Sequence, residues 1–428
     1  MTLTLVARFA AALLFVAACT TQPPASLSAQ SPGSPTAGGP AAWKSEAILD
    51  FPNQGVGDIE LIGGNLVTLS GQGTSVTGTD IIAIDPDSGR TRWTDSTLTG
   101  LVPASDSSFR SAHYLRDGDD IVALVADGSL QKSAVIRFSV PARRLIWQFA
   151  VNGVVFPESL SVHNSLTCFV TQGPTTQPFA RSITCLDKGG KTLWTRNLAQ
   201  SDGDSVEVEI AASKLMVLSR QGIFSAQAMV SAFDLQTGAS IGVPFQVDAR
   251  FGDIGMRHLA AWKDDKVLAF LTEGIAVVDL SSSQPQPQIL LSLAGQFPRV
   301  PEIAQGGSTV YIKYDLPYPK GGDQPMADVV AGFDLDSGTK LWERTDAADP
   351  EFARMRPMRL QGPDLLYGDD NGGVWVLAAS TGAVERHFVP TQDPLSFLDT
   401  VAPLRDGSAV IISENFGPGP LDYRLAGY

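Results

Sequence analysis

The sequence predicts an all-β protein: a closed ring of four-stranded antiparallel blades, eight by one count and seven by another. Three observations lead there. A hairpin pattern returns about every fifty residues. A strand-type segment precedes each copy. An isolated strand near the front of the chain has no partner except at the far end, and joining the two removes the exposed edges of an open array. That architecture is a β-propeller.

The hairpin itself has a physical logic. It runs from Ala83 to Trp93 and from Gly332 to Trp342, with fainter copies at Ser231–Val243 and Thr184–Trp194. An apolar strand ends in Asp85, Asp187, Asp234, Asp279 or Asp334. An aspartate there can accept a hydrogen bond from a backbone N–H two residues on, which starts a turn. Gly89, Gly190, Gly238, Gly338 and Gly382 follow, where the returning chain needs a positive φ. A tryptophan lands four residues after the glycine at Trp93, Trp194 and Trp342. A fixed offset keeps that side chain on one face of the return strand, because side chains alternate with period two.

Counting glycine-turn hairpins gives seven, with strands ending near Ile84, Ser139, Leu186, Phe233, Val278, Phe333 and Leu377. Counting the strand before each hairpin gives eight, from Leu66–Leu69 to Val410–Ile412. The last of these leads into Leu421–Ala426, which has no return strand after it. Trp43–Ile48 is a return strand with its own tryptophan and no hairpin before it. The two complete one another, so the expected ring has eight blades closed by the N-terminal strand.

The pattern Asp-x-x-(Ser/Thr)-Gly-x-x-x-Trp resembles the repeat of pyrroloquinoline-quinone-type β-propellers, a group named for quinoprotein dehydrogenases but common in proteins that bind no quinone. The resemblance covers about residues 43 to 428. It implies a packing role between blades for Trp43, Trp93, Trp147, Trp194 and Trp342. The pattern decays where Arg143 replaces the turn glycine before Trp147 and where Ser281–Ser283 replace the turn of the fifth blade.

Residues 1–18 read as a signal peptide: Arg8 supplies the basic region, and Phe9–Ala18 an apolar stretch too short to span a bilayer. It ends Val16-Ala17-Ala18-Cys19, which resembles the bacterial lipobox and implies cleavage before an acylated Cys19; the alternative is an ordinary secretory signal. Residues 19–42 hold no charge and are rich in proline, glycine, serine and alanine, the composition of a disordered tether. The propeller occupies 43–428. Such a chain is expected at the cell membrane or outer membrane, facing the extracytoplasmic side. Thr20 after the cysteine leaves the choice of membrane open.

Acidity bounds the partners. Thirty-one basic against 45 acidic residues give −14, and removal of residues 1–18 takes only Arg8, leaving −15. That excess disfavours nucleic acid and an anionic bilayer as direct partners, so membrane attachment is assigned to the lipid. The chain is read as a monomer. Cys168 and Cys185 lie on adjacent strands of the third blade, facing each other if the hairpin is symmetric. They form either a cross-strand disulfide or two buried thiols.

Catalytic signatures are few. There is no adjacent cysteine pair of the kind quinoprotein dehydrogenases often carry, and most aspartates are accounted for by turns. Asp117-Gly118-Asp119-Asp120 and Asp369-Asp370-Asn371-Gly372-Gly373 look like calcium loops but lack the alternating ligands and closing glutamate, so they read as turns. His113, His163, His258 and His387 have no zinc-ligand spacing. No catalytic residue, metal or cofactor is expected. The candidate partner-binding positions are Phe109, in the connection Asp95–Ala112, and Tyr318, in the connection Asp315–Ala327; both fall on one face of the ring. The expected function is a non-catalytic scaffold for envelope proteins. The alternatives are a quinoprotein-type oxidoreductase or a glycan or small-molecule binder at the channel. In layout (anchor, tether and repeat) the chain is similar to the propeller lipoproteins of the outer-membrane barrel-assembly machine.

Overall fold

The computed structural model describes residues 43–44, 59–69, 80–101, 111–126, 132–155, 159–173, 181–198, 205–220, 227–248, 259–271, 274–292, 302–316, 327–346, 358–368, 374–388, 396–403, 409–415 and 422–427. After β1 (Trp43–Lys44), seven antiparallel sheets are each cut from one continuous run of chain. The first blade is β2 (Glu60–Ile62), β3 (Asn65–Leu69), β4 (Ile81–Ile84) and β5 (Thr91–Asp95). The second is β6 (Ser111–Asp117), β7 (Asp120–Ala126), β8 (Lys132–Ser139) and β9 (Arg144–Asn152). The third is β10 (Val154–Val155), β11 (Ser161–His163), β12 (Leu166–Gln172), β13 (Arg181–Leu186) and β14 (Thr192–Asn197). The fourth is β15 (Ser205–Ala211), β16 (Lys214–Arg220), β17 (Gln227–Asp234) and β18 (Ser240–Asp248). The fifth is β19 (Leu259–Ala261), β20 (Lys266–Leu271), β21 (Gly274–Asp279) and β22 (Pro287–Ser292). The sixth is β23 (Glu302–Gly306), β24 (Thr309–Leu316), β25 (Ala327–Asp334) and β26 (Thr339–Asp346). The seventh is β27 (Met358–Gln361), β28 (Asp364–Gly368), β29 (Val374–Ala378) and β30 (Val384–Phe388).

A further sheet is composite. β31 (Ser396–Pro403), β32 (Ala409–Asn415) and β33 (Asp422–Gly427) take their fourth strand from β1, with Trp43 opposite Gly427 and Lys44 opposite Ala426. β31 packs against β27 and β28 on one side and β2 on the other. The protein is thus a β-propeller of four-stranded antiparallel blades. The first strands of successive blades touch one another, β11 on β15 and β23 on β27 for example, which places them around the axis.

The core lies between blades. One cluster joins Met216, Leu218 and Val230 of the fourth blade to Val267, Ala269 and Val278 of the fifth. Others join the first and second, second and third, third and fourth, fifth and sixth, and sixth and seventh blades. Middle strands such as β4 and β7 are therefore buried on both faces and read as nearly continuous apolar runs. Each blade needs a neighbour to cover its face, the physical reason the repeat forms a ring.

The turns form as the sequence implies. Asp85 Oδ1 accepts from the N–H groups of Asp87 (2.8 Å) and Ser88 (3.0 Å), and Asp334 Oδ1 from that of Ser337 (2.7 Å). Gly89, Gly190, Gly238, Gly338 and Gly382 hold φ between 67° and 77°. A second tie recurs in five blades. The residue beginning the outer turn donates its N–H to the carbonyl of the inner turn, as Leu235 does to Ser213 (3.0 Å) and Leu335 to Ser308 (2.8 Å). Inner and outer turns therefore share one face of the ring.

Three features depart from expectation. The offset of four residues from glycine to tryptophan does not work through simple alternation. In the first blade the return strand carries a β-bulge just before the tryptophan, so that Ala83 pairs with Trp93 while Ile84 pairs with Thr91. The same slip precedes Trp147, Trp194 and Trp342. The bulge resets side-chain parity and twists an exposed edge away from further pairing. In the third blade the innermost position is divided between β10 and β11, both paired with β12. The connection Asp95–Ala112 begins with a helix, α1 (Thr97–Leu101), whose Leu98 is fully buried and whose Leu101 packs on the same cluster.

Candidate functional site

The repeat motif proves to be a joint between blades. A Cβ on Gly238 would stand 2.6 Å from the Trp194 ring, one on Gly190 2.7 Å from Trp147, and one on Gly382 2.4 Å from Trp342. Each tryptophan therefore lies flat on the turn glycine of the following blade, not on the glycine of its own hairpin. Trp194 Nε1 donates to the Leu235 carbonyl (2.7 Å) and Trp342 Nε1 to that of Ala379 (2.8 Å). Trp147 Nε1 is buried with no acceptor among the described residues. Its neighbouring turn closes one residue sooner, Gly190 N–H bonding to Asp187 where Gly238 N–H bonds to Asp234 four positions back.

Arg143, where the pattern loses its glycine, takes φ 50° and lays its guanidinium over the Trp93 ring at 5.3 Å. Of the other motif residues, Trp43 pairs through β1, and its side chain lies outside the described residues. Cys19, Phe109 and Tyr318 also lie outside the described residues, as does the segment Asp369–Gly373. The helix α1 withdraws Leu101 from the surface offered by the first candidate connection, because its apolar turn seals the joint between the first two blades. Tyr311, near Tyr318 in sequence, is buried against Trp342 with ring centres 6.0 Å apart.

The acidic motif Asp117–Asp120 encloses a cation belonging to the fold. Arg137 is 7% exposed at its side chain and pairs with Asp117 Oδ2 and Asp120 Oδ2, each at 2.8 Å. Sequence reasoning missed Arg137 because its partners stand on the two preceding strands, Asp120 at the start of the adjacent β7 and Asp117 at the end of β6, a relation a hairpin count does not reveal. It also missed the buried pair Glu207–Arg220 at 3.9 Å and the aligned rings of Tyr367, Trp375 and His387 on three neighbouring strands, with Arg344 over Trp375 at 4.8 Å. Among the described residues there is no cluster of three metal-ligating side chains.

Cys168 and Cys185 are paired in register and joined as a disulfide, with Cα atoms 4.2 Å apart and both residues fully buried. Several turn carboxylates are drawn below their ordinary pKa by their partners. The Lys214 ammonium and the Thr237 hydroxyl bring Asp234 down to about 2. Asp279 is lowered by the Ser281 hydroxyl, and Asp336 by Lys263 and then Ser308. These side chains tie turns and neighbouring blades together; Asp265 likewise accepts from Ser213 N–H (2.9 Å) across a blade boundary.

No known family's sequence profile matches the chain, and no curated protein matches it. Solved structures similar to it include the computationally designed protein Ika8, at 12% identity and a TM-score of 0.56, covering 91% of this chain and 100% of that one. The quinohemoprotein alcohol dehydrogenase ADHIIG from Pseudomonas putida HK5 aligns at 12% identity and a TM-score of 0.51, over 91% of this chain and 75% of that one. BamB from Moraxella catarrhalis aligns at 15% identity over 90% and 85%, but its TM-score of 0.34 carries no argument. At these identities the likeness establishes the propeller fold and nothing finer. The fold serves an alcohol dehydrogenase and a designed protein alike, so function has to be argued from this chain's own residues.

Proposed function

We propose that the chain is a lipid-anchored, extracytoplasmic protein whose propeller serves as a non-catalytic scaffold for other envelope proteins. The observation that carries the reading is where its chemical-looking side chains are engaged. Asp117 and Asp120 hold Arg137, and Asp85, Asp187, Asp234, Asp279 and Asp334 close turns. The disulfide Cys168–Cys185 favours an oxidising compartment. We take the ring as eight blades, the composite sheet being the last, which the packing of β31 on both β27 and β2 supports. Acylated Cys19 would provide the anchor and residues 20–42 the tether.

Photoreactive residues at positions 109 and 318, crosslinked in intact cells and read by mass spectrometry, test the scaffold reading. Capture of one recurrent envelope protein at either position is the expected result. Capture only from positions on the turn face would overturn the assignment of these two connections. Quinone-dependent dye reduction by the purified chain with added quinone and calcium would overturn the non-catalytic reading itself.

A further inference from the structure

From the place of the disulfide in its blade, we propose that Cys168 and Cys185 are oxidised before the fourth blade docks, and that docking then seals their redox state. The two cysteines are the middle members of one row across the third blade. Ser161 stands opposite Cys168, Cys168 opposite Cys185, and Cys185 opposite Trp194, so the four side chains share one face. The fourth blade covers that face. Both cysteines are fully buried in one cluster with its Val206, Val208 and Leu215. Each end of the row is tied across the same boundary. Ser161 Oγ accepts from the Ile210 N–H (3.0 Å), and Trp194 Nε1 donates to the Leu235 carbonyl (2.7 Å).

The bond itself needs only the third blade. Its cysteines lie 17 residues apart on the adjacent strands β12 and β13, so one hairpin brings them together. Hairpins close in about 1–10 μs and disulfides form in roughly seconds to hours, so oxidation competes with ring closure and not with the hairpin. Closure does not need the bond. The same two places hold Val67 and Ala83 in the first blade, and Tyr311 and Gly332 in the sixth, each pair ahead of its tryptophan and joined by no covalent bond. Two thiols fill such places as small apolar side chains. The chemistry then sets the seal. A cysteine thiolate attacks an oxidant disulfide R–S–S–R and expels one thiolate; the second cysteine attacks the mixed disulfide and expels the other. The chain loses two electrons and two protons, and R–S–S–R becomes two R–SH. Each step places the group R against a cysteine that is 0% exposed once the fourth blade is in place. A chain that closes oxidised stays oxidised, and one that closes reduced keeps both thiols.

The test is one of timing. The full chain carrying Cys19→Ser, which leaves these two thiols alone, is denatured, reduced and diluted into folding buffer. Oxidised glutathione is added at once, or after the tryptophan fluorescence has stopped changing. Thiols are then counted by alkylation in denaturant and mass spectrometry. Early oxidant should give a disulfide in nearly every molecule, and late oxidant about tenfold less or below over the same interval. In the reverse direction the folded, oxidised protein should resist dithiothreitol. Trp194→Ala, which opens the sealing joint, should speed reduction about tenfold or more, and Trp342→Ala, which opens the joint of the sixth and seventh blades, should not. Equal oxidation by late oxidant overturns the proposal, as does equal acceleration in the two variants. Failure of the reduced chain to regain the parent's circular dichroism overturns it too, because the bond would then be a condition of closure. The timing arm carries no joint variant and decides alone if Trp194→Ala does not fold.

Discussion

The joint between the third and fourth blades and the joint between the fourth and fifth solve one packing problem in opposite ways. At the first, Trp194 lies on Gly238 and donates to Leu235. At the second, the tryptophan position is Gly242, at φ 64°, and the facing turn has lost its glycine. Pro285 and the Ser283 carbonyl fill the space, 2.8 and 2.9 Å from where a Cβ on Gly242 would sit. Aliphatic residues such as Val230, Val278 and Leu280 then carry the contact. Bulk on one blade is matched by its absence on the next. Where both are present, the tryptophan and the glycine form a unit that spans two blades; the pair is split at Trp93, which meets Arg143, and at Gly338, which meets the Leu290 carbonyl.

The largest expected effect comes from breaking an intact joint. Trp342→Ala removes a buried indole and its hydrogen bond to Ala379, and should destabilise the protein by about 3–5 kcal/mol in chemical denaturation. Gly238→Ala attacks the same kind of joint from the other side. Overpacking against Trp194 should cost about 1–3 kcal/mol, and combining it with Trp194→Ala should recover part of that cost. Strict additivity in that double-mutant cycle would disprove the paired unit.

Arg143→Gly converts the divergent second-blade turn to the standard form. It relieves an αL arginine, worth about 1–2 kcal/mol, and loses an exposed stack on Trp93, worth about 0.5–1. A melting temperature within a few degrees of the parent, unchanged or raised, is expected. A clear drop would mean that the stack outweighs the strain.

The smallest effect is electrostatic. Asp234 has a folded pKa of about 2, below its ordinary 3.8, through Lys214 and Thr237. Its contribution is present above pH ~4 and is lost as pH falls toward 2. The side chain is 30% exposed, so solvent screens much of the effect. Asp234→Asn should flatten the acid limb of the stability curve slightly in that window and leave the curve's shape above pH 5 unchanged.

Much of this was legible along the chain because its causes are local. An aspartate that caps the next N–H groups, a glycine at positive φ and a tryptophan at fixed spacing all act within about ten residues. The disulfide partners were visible for the same reason, lying across one hairpin. Relations between blades were hidden. Nothing near Gly190 in sequence announces Trp147 as its neighbour, and the missing acceptor of Trp147 follows from a turn one residue shorter in the next blade. The bulge was hidden too, since it leaves spacing intact and changes only the register.

By itself the sequence determined the strands, the turn chemistry and the pairing of its two ends, because backbone sterics and period-two burial act residue by residue. Only the tertiary structure decided which glycine receives which tryptophan and that Asp117 and Asp120 enclose Arg137. The first depends on contacts between residues of different blades, which exist only once the sheets have packed, and the second on strand register within one blade.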